Sequence, residues 1–172
     1  KFHYSDSPAG RPEKFYRPDF DSGDWANIPV PSNWERHGYS YPIYVNVPYP
    51  FAIDEPDVPT EDNPVGSYRR DFTVPKNWQG RDIFLQFGAV SSAFYLWING
   101  KYVGYSEGSK TPAEFDITDY VEAGGSNVLA VLVHRWSSGS YLEDQDFWRL
   151  SGIDRDVYLV SLPLLYVSDF FV

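Results

Sequence analysis

AFYLWINGKYVGY, residues 93–105, decides the fold. Ala93 to Ile98 and Tyr102 to Tyr105 are two apolar, aromatic-rich runs that meet across Asn99-Gly100. Both turn residues tolerate positive φ, which a tight hairpin turn with the right-handed strand twist requires. The stretch therefore predicts an antiparallel hairpin. Upstream, Ser67 to Val74 alternates, and Arg81 to Ala89 places Ile83, Leu85 and Phe87 on one face, the period of two of a half-buried strand. Downstream, Glu114 to Ile117 reads as a short strand. Thr118 to Val121 then reads as one helical turn opened by a side-chain cap, and Gly124-Gly125 ends it. Asn127 to Trp136 is apolar enough for a strand buried on both faces, and Asp156 to Leu162 is another strand before Pro163. No helix of three turns is predicted, so short strands with turn punctuation point to an all-β jelly-roll sandwich.

Residues 1–65 differ from this pattern. Turn signals recur at Ser7-Pro8, Arg17-Pro18, Ser22-Gly23 and Val30-Pro31, with little periodicity, which predicts a long irregular N-terminal wrap over the sandwich strands of 66–163. Trp25, Trp34, Tyr39, Tyr41, Tyr44 and Tyr49 are the side chains expected to pin it down. Leu164 to Val172 reads as the first strand of a following domain.

At 172 residues the chain has the size of one domain with one core. It has no cysteine, so packing and backbone hydrogen bonds must stabilise it, without disulfides or thiolate metal ligands. No secretory signal pattern opens the chain and no stretch is apolar enough to span a bilayer, as expected of a domain cut from a longer protein. The net charge of -10 argues against a nucleic-acid partner, whose phosphates it would repel. Fourteen Tyr, 12 Phe and 6 Trp give 19% aromatic residues, and that excess suits stacking against the C–H faces of neutral sugars as well as filling a sandwich core.

Polar chemistry concentrates in residues 135–157, where Glu143, Asp144 and Asp146 fall within four residues, flanked by Tyr141 and Trp148. Carboxylates accept paired hydrogen bonds from hydroxyls and rings cover an apolar sugar face, so this loop could line a sugar site. A salt-bridged loop, with Arg135, Arg149 and Arg155 neutralising the acids, is equally compatible with the residues alone. A self-sufficient glycosidase would need two carboxylates about 5 to 5.5 Å apart across the scissile bond, a geometry that neighbours in one loop do not supply. His3, His37 and His134 are scattered and lack zinc-site spacing. Nucleophile-elbow, P-loop and dinucleotide-binding glycine patterns are absent from the sequence.

The run RWSSGSYLEDQDFWRLSGIDRDVYL, residues 135–159, resembles the end of the amino-terminal sugar-binding domain of family 2 glycoside hydrolases, the β-galactosidases in particular. VPSNWERHGYSYPIYVNVPYPF, residues 30–51, is similar to the segment that places an asparagine beside the substrate pocket in that family. GSYRRDFTVP, LQFGAVSSAFYLWINGKYVGYSEGSKTPAEFDIT and NVLAVLVHRW look like the same family in the same order, so the resemblance runs from about Trp25 to Pro163. It departs mildly at Phe147 and Leu150, where some relatives carry methionine, and at Ser138, where some carry aspartate.

The resemblance implies a galactose-binding-domain-like jelly roll over 1–163, followed from 164 by an immunoglobulin-like domain. A later (β/α)₈ barrel would hold the catalytic carboxylates of a retaining β-galactosidase, so no catalytic residue is expected within this chain and the parent alone would be the enzyme. Asp146 matches the aspartate that contacts sugar hydroxyls and helps ligate sodium; Asn46 matches the asparagine of the same subsite. Arg149, Arg155 and Asp156 match the pattern as structural support, bracing the loop through buried Arg–carboxylate pairs. No cofactor lies wholly within the chain. Sodium, shared with the barrel, and magnesium in the barrel are implied for the parent. Its implied partners are a β-galactoside, the barrel and immunoglobulin-like domains, and further copies in a homo-oligomer. Bacterial periplasm suits enzymes of glycan breakdown, with cytoplasm the other compartment compatible with the sequence. The alternatives are an independent carbohydrate-binding module, or a structural or interface domain of a related β-glucuronidase or β-mannosidase.

Overall fold

A computed structural model describes residues 1–143 and 146–172 of the chain. The described residues form thirteen strands: β1 (Phe2–Ser5), β2 (Ser32–Asn33), β3 (Ile43–Val45), β4 (Val65–Thr73), β5 (Asp82–Phe87), β6 (Val90–Ser91), β7 (Ala93–Ile98), β8 (Lys101–Glu107), β9 (Ala113–Asp116), β10 (Ser126–His134), β11 (Phe147–Arg149), β12 (Gly152–Ile153) and β13 (Val157–Leu162). The helices among the described residues are single 3₁₀ turns of three or four residues.

One layer is a five-stranded antiparallel sheet in the order β1-β4-β10-β7-β8. The predicted hairpin forms its edge, with Asn99 at φ 51° and Gly100 at φ 81°. The opposing layer contains β13-β5-β9, and backbone bonds Gly88 N to Asp156 O (3.0 Å) and Asp154 N to Ala89 O (2.9 Å) carry that pairing on into β6, β12 and β2. Ile83, Leu85 and Phe87 face inward as the alternation required, against Phe94, Leu96, Ile98, Val131 and Val133. Phe87 and Phe94 meet across the two layers with ring centroids 4.7 Å apart. β10 lies between β4 and β7 and is buried on both faces, which explains its unbroken apolar run.

The wrap covers the outer face of the large sheet. Phe15 and Trp25 are buried over Val65, Ala130 and Leu132, with Tyr16, Phe20 and Trp97 packed around them. Arg69 staples the wrap by donating to the carbonyls of Phe15 and Arg17. Trp34 is fully buried in the inner core, while Tyr39 and Tyr49 are half-buried. Tyr41 and Tyr44, expected to act in the same way, are 61% and 52% exposed. Tyr41 lies over the Arg135 guanidinium at 5.4 Å, and Tyr44 belongs to the site described below.

Two further expectations are corrected. The turn Thr118–Tyr120 forms without a side-chain N-cap bond; instead the Asp116 carboxylate accepts from Thr118 N–H at 3.0 Å, and Thr118 Oγ1 accepts from Ile83 N–H at 2.9 Å. Residues 163–172 form no strand and project exposed Leu164, Leu165, Phe170 and Phe171.

Candidate functional site

The chain places its polar residues at one end of the sandwich on a small ribbon. β3 and β11 pair antiparallel, with Phe147 opposite Val45, Trp148 opposite Tyr44 and Arg149 opposite Ile43. The next residues outward along the two strands are Asn46 and Asp146, both exposed, so residues 100 positions apart in the chain occupy the same end of one ribbon. Tyr44 Oη donates a hydrogen bond to Asp146 Oδ1. That bond, and then the carboxylate's charge, hold the Tyr44 phenol above its ordinary pKa. Trp148 is 56% exposed with its ring 5.5 Å from that of Tyr44. The edge thus presents two uncovered rings, a carboxylate and an amide, the elements of a site that accepts hydroxyls and covers an apolar sugar face.

Alternation along β11 explains the second layer of the site. Trp148 points out, and its neighbour Arg149 is buried, its guanidinium 4.2 Å over the Phe147 ring and 3.7 Å from Glu143. Glu143 Oε1 also accepts from Ser109 N–H at 2.8 Å, so one carboxylate ties β11 to the loop after β8. Glu35 is buried and accepts from Ser151 N–H through both oxygens, at 3.1 and 2.9 Å; burial pushes its carboxyl above the usual range. Asp154 accepts from Asn33 Nδ2, Ser91 Oγ (2.5 Å) and Lys110 Nζ (2.7 Å), joining four chain segments.

These placements redistribute the roles expected of the polar loop. Tyr141 does not cover a sugar: it is buried, donates from Oη to Asp57 O at 2.6 Å, and its carbonyl accepts from Tyr49 Oη at 2.9 Å. Arg135 is buried and donates to Ser40 Oγ (2.7 Å) and Tyr41 O (2.8 Å), with no carboxylate in salt-bridge range among the described residues. Among the residues expected to brace the loop, Arg149 has the buried carboxylate contact, whereas Arg155 and Asp156 are exposed. They lie on the turn into β13, packed against Gly88, where a Cβ would come 2.9 Å from Arg155 Cβ. Asp144 lies outside the described residues. Tyr44, Glu35 and Asp154 were not foreseen as parts of the site. Tyr44 sits two positions before Asn46 in YVNVPYP, but no local signal marks its pairing with β11, and nothing local marks the other two.

Sodium takes hard oxygen donors, so the donor type at Asp146 fits. Among the described residues no cluster of three or more His, Cys, Asp or Glu side chains converges.

The family model described as glycosyl hydrolases family 2, sugar binding domain, matches residues 1–163. A β-galactosidase of Priestia megaterium is 51% identical over 99% of this chain, and one of Vibrio cholerae is 55% identical over 90% of it. The chain spans 17% and 15% of the length of those two relatives. Among solved structures, a Bacteroides uniformis β-glucuronidase superposes with TM-score 0.70 at 27% identity, covering 95% of this chain and 17% of that one. The chain belongs to the sugar-binding-domain family of the family 2 glycosyl hydrolases.

Proposed function

We propose that this chain is the accessory sugar-binding domain of a retaining β-galactosidase, and that its β3–β11 edge completes the galactosyl subsite of a (β/α)₈ barrel elsewhere in the parent, which hydrolyses terminal β-galactosides. The observation that carries the reading is the Tyr44–Asp146 hydrogen bond beside exposed Trp148, with Asn46 at the same ribbon end. A carboxylate held by a tyrosine is pre-aimed, so less side-chain freedom is lost when it accepts from a sugar hydroxyl. Asn46 can donate and accept at once, which suits a hydroxyl pair. The β-galactosidase relatives support a neutral galactoside, as does the charge of the edge: the carboxylate of a uronate would meet like charge at Asp146. In this reading Asp146 also supplies one oxygen to a sodium ion whose other ligands come from the barrel, the barrel alone holds magnesium, and an immunoglobulin-like domain follows residue 163.

The test is steady-state kinetics of the intact parent enzyme on an aryl β-galactoside at varied sodium, wild type beside Asp146→Ala. The expected result is at least a tenfold loss in kcat/KM, about 1.4 kcal/mol of transition-state stabilisation, with an altered sodium response and unchanged thermal stability. Wild-type activity and sodium response in a folded variant would make the ribbon scaffolding.

A further inference from the structure

The outer face of β7 and β8 carries a second aromatic surface that the Asp146 edge does not use. Tyr95, Trp97, Tyr102 and Tyr105 share this face because Tyr95 pairs with Tyr105 and a register shift after Leu96 brings Trp97 opposite Tyr102. Trp97 is the floor: Tyr16 stacks on it at 5.1 Å and 11°. Tyr95, Tyr102 and Tyr105 are 37%, 52% and 40% exposed, with Tyr95 4.8 Å from Tyr105 and 6.5 Å from Tyr102. At one end of this strip stands Glu107, which accepts from Tyr105 Oη (3.0 Å), Ser138 Oγ (3.0 Å) and Gly139 N–H (3.3 Å). Partial burial opposes its ionisation, but those donors outweigh it and hold the carboxyl below its usual range.

We propose that this strip is a separate carbohydrate-binding surface, one that takes a neutral glycan chain along Tyr102, Tyr95 and Tyr105 with Glu107 as acceptor for its hydroxyls. Ring faces attract the polarised C–H groups of a pyranose, and tyrosines offer that area at low entropic cost while their hydroxyls reach the glycan's own. Charge selects among occupants. With a net charge of -10, a second copy of the chain or an anionic polymer meets repulsion, which a neutral glycan does not. The edge is also blunted against strand pairing with another copy, since β8 ends the sheet with exposed Lys101 and the irregularity beside Trp97. The inference does not depend on the role proposed for Asp146.

Affinity electrophoresis of the chain in native gels tests it, with neutral galactan, xyloglucan or glucomannan in the gel and polygalacturonate as the anionic control. At least one neutral polysaccharide should retard wild type and Asp146→Ala alike, and polygalacturonate should retard neither. Tyr102→Ala/Tyr105→Ala should lose at least tenfold in association constant, and Tyr102→Phe/Tyr105→Phe should keep most of it. Thermal unfolding monitors the fold, and Tyr102→Ala alone replaces the double variant if that unfolds. Failure of all three neutral polysaccharides to retard the chain overturns the proposal, as does binding that survives the alanine variants or is lost in Asp146→Ala. A dimer in light scattering that the alanine variants dissociate would overturn it too, by making the strip a self-interface.

Discussion

Asp154 shows how a single side chain holds the site end together. Its carboxylate accepts from Asn33, Ser91 and Lys110, and its side chain is only 11% exposed, so removing it strands donors that water cannot easily reach. A buried polar group left unsatisfied costs about 1–3 kcal/mol, and more than one donor is involved here. Asp154→Ala is therefore expected to lower unfolding stability by about 2–3 kcal/mol in urea titration. Lys110, with 45% of its side chain exposed, forms the outer, solvent-screened part of the same cluster, so Lys110→Met should cost less than about 1 kcal/mol. Equal losses in the two variants would mean that the ion pair, and not the Asn33 and Ser91 bonds, carries the stabilisation. Asp154 could be read in the sequence only as one of several loop acids, because its partners lie as far as 121 residues away.

At the scale of elements, legibility followed length. The Asn99-Gly100 hairpin with its turn signal, β5 with its alternation and β10 with its apolar run were all visible, since each is long enough to display a pattern. β2, β3, β11 and β12, of two or three residues each, show none, yet they build the site end. β1 was missed for a different reason: its buried residues are Phe2 and Ser5, a spacing that matches neither strand nor helix. Gly152 marks what such short elements demand. It lies in β12 at φ 132°, and a Cβ there would sit 2.7 Å from Ser32 O, a backbone atom of its partner strand. Gly152→Ala combines backbone strain with a collision in a paired strand, for an expected loss of about 2–4 kcal/mol. Gly38 has φ 84° but nothing within 4 Å, so Gly38→Ala should show the conformational cost alone, about 1 kcal/mol. Guanidinium unfolding of both variants checks the difference, and equal losses would show that β12 moves aside freely.

For the molecule as a whole, the architecture separates the buried cores from the exposed ribbon. One core lies between the sheets and a second beneath the wrap, while Tyr44, Asn46, Asp146 and Trp148 are exposed on the β3–β11 ribbon. Asn46 and Asp146 were singled out because the motifs YVNVPYP and LEDQDFW contain them. Tyr44 was not, because its role depends on a strand pairing between residues about a hundred positions apart. A one-sided edge also sets how tightly the chain alone can hold a monosaccharide. A pyranose resting on it makes a few hydrogen bonds and one stacking contact, while the cost of immobilising the sugar is the same as in a closed site. Net free energy of about -4 kcal/mol or weaker corresponds to a Kd of about 1 mM or higher. Galactose titrated into the chain and followed by NMR should therefore shift the Trp148 indole and the amides around Asp146 only in the millimolar range. Submicromolar binding would mean that the ribbon is a complete site by itself, and that the barrel is not needed to hold the sugar.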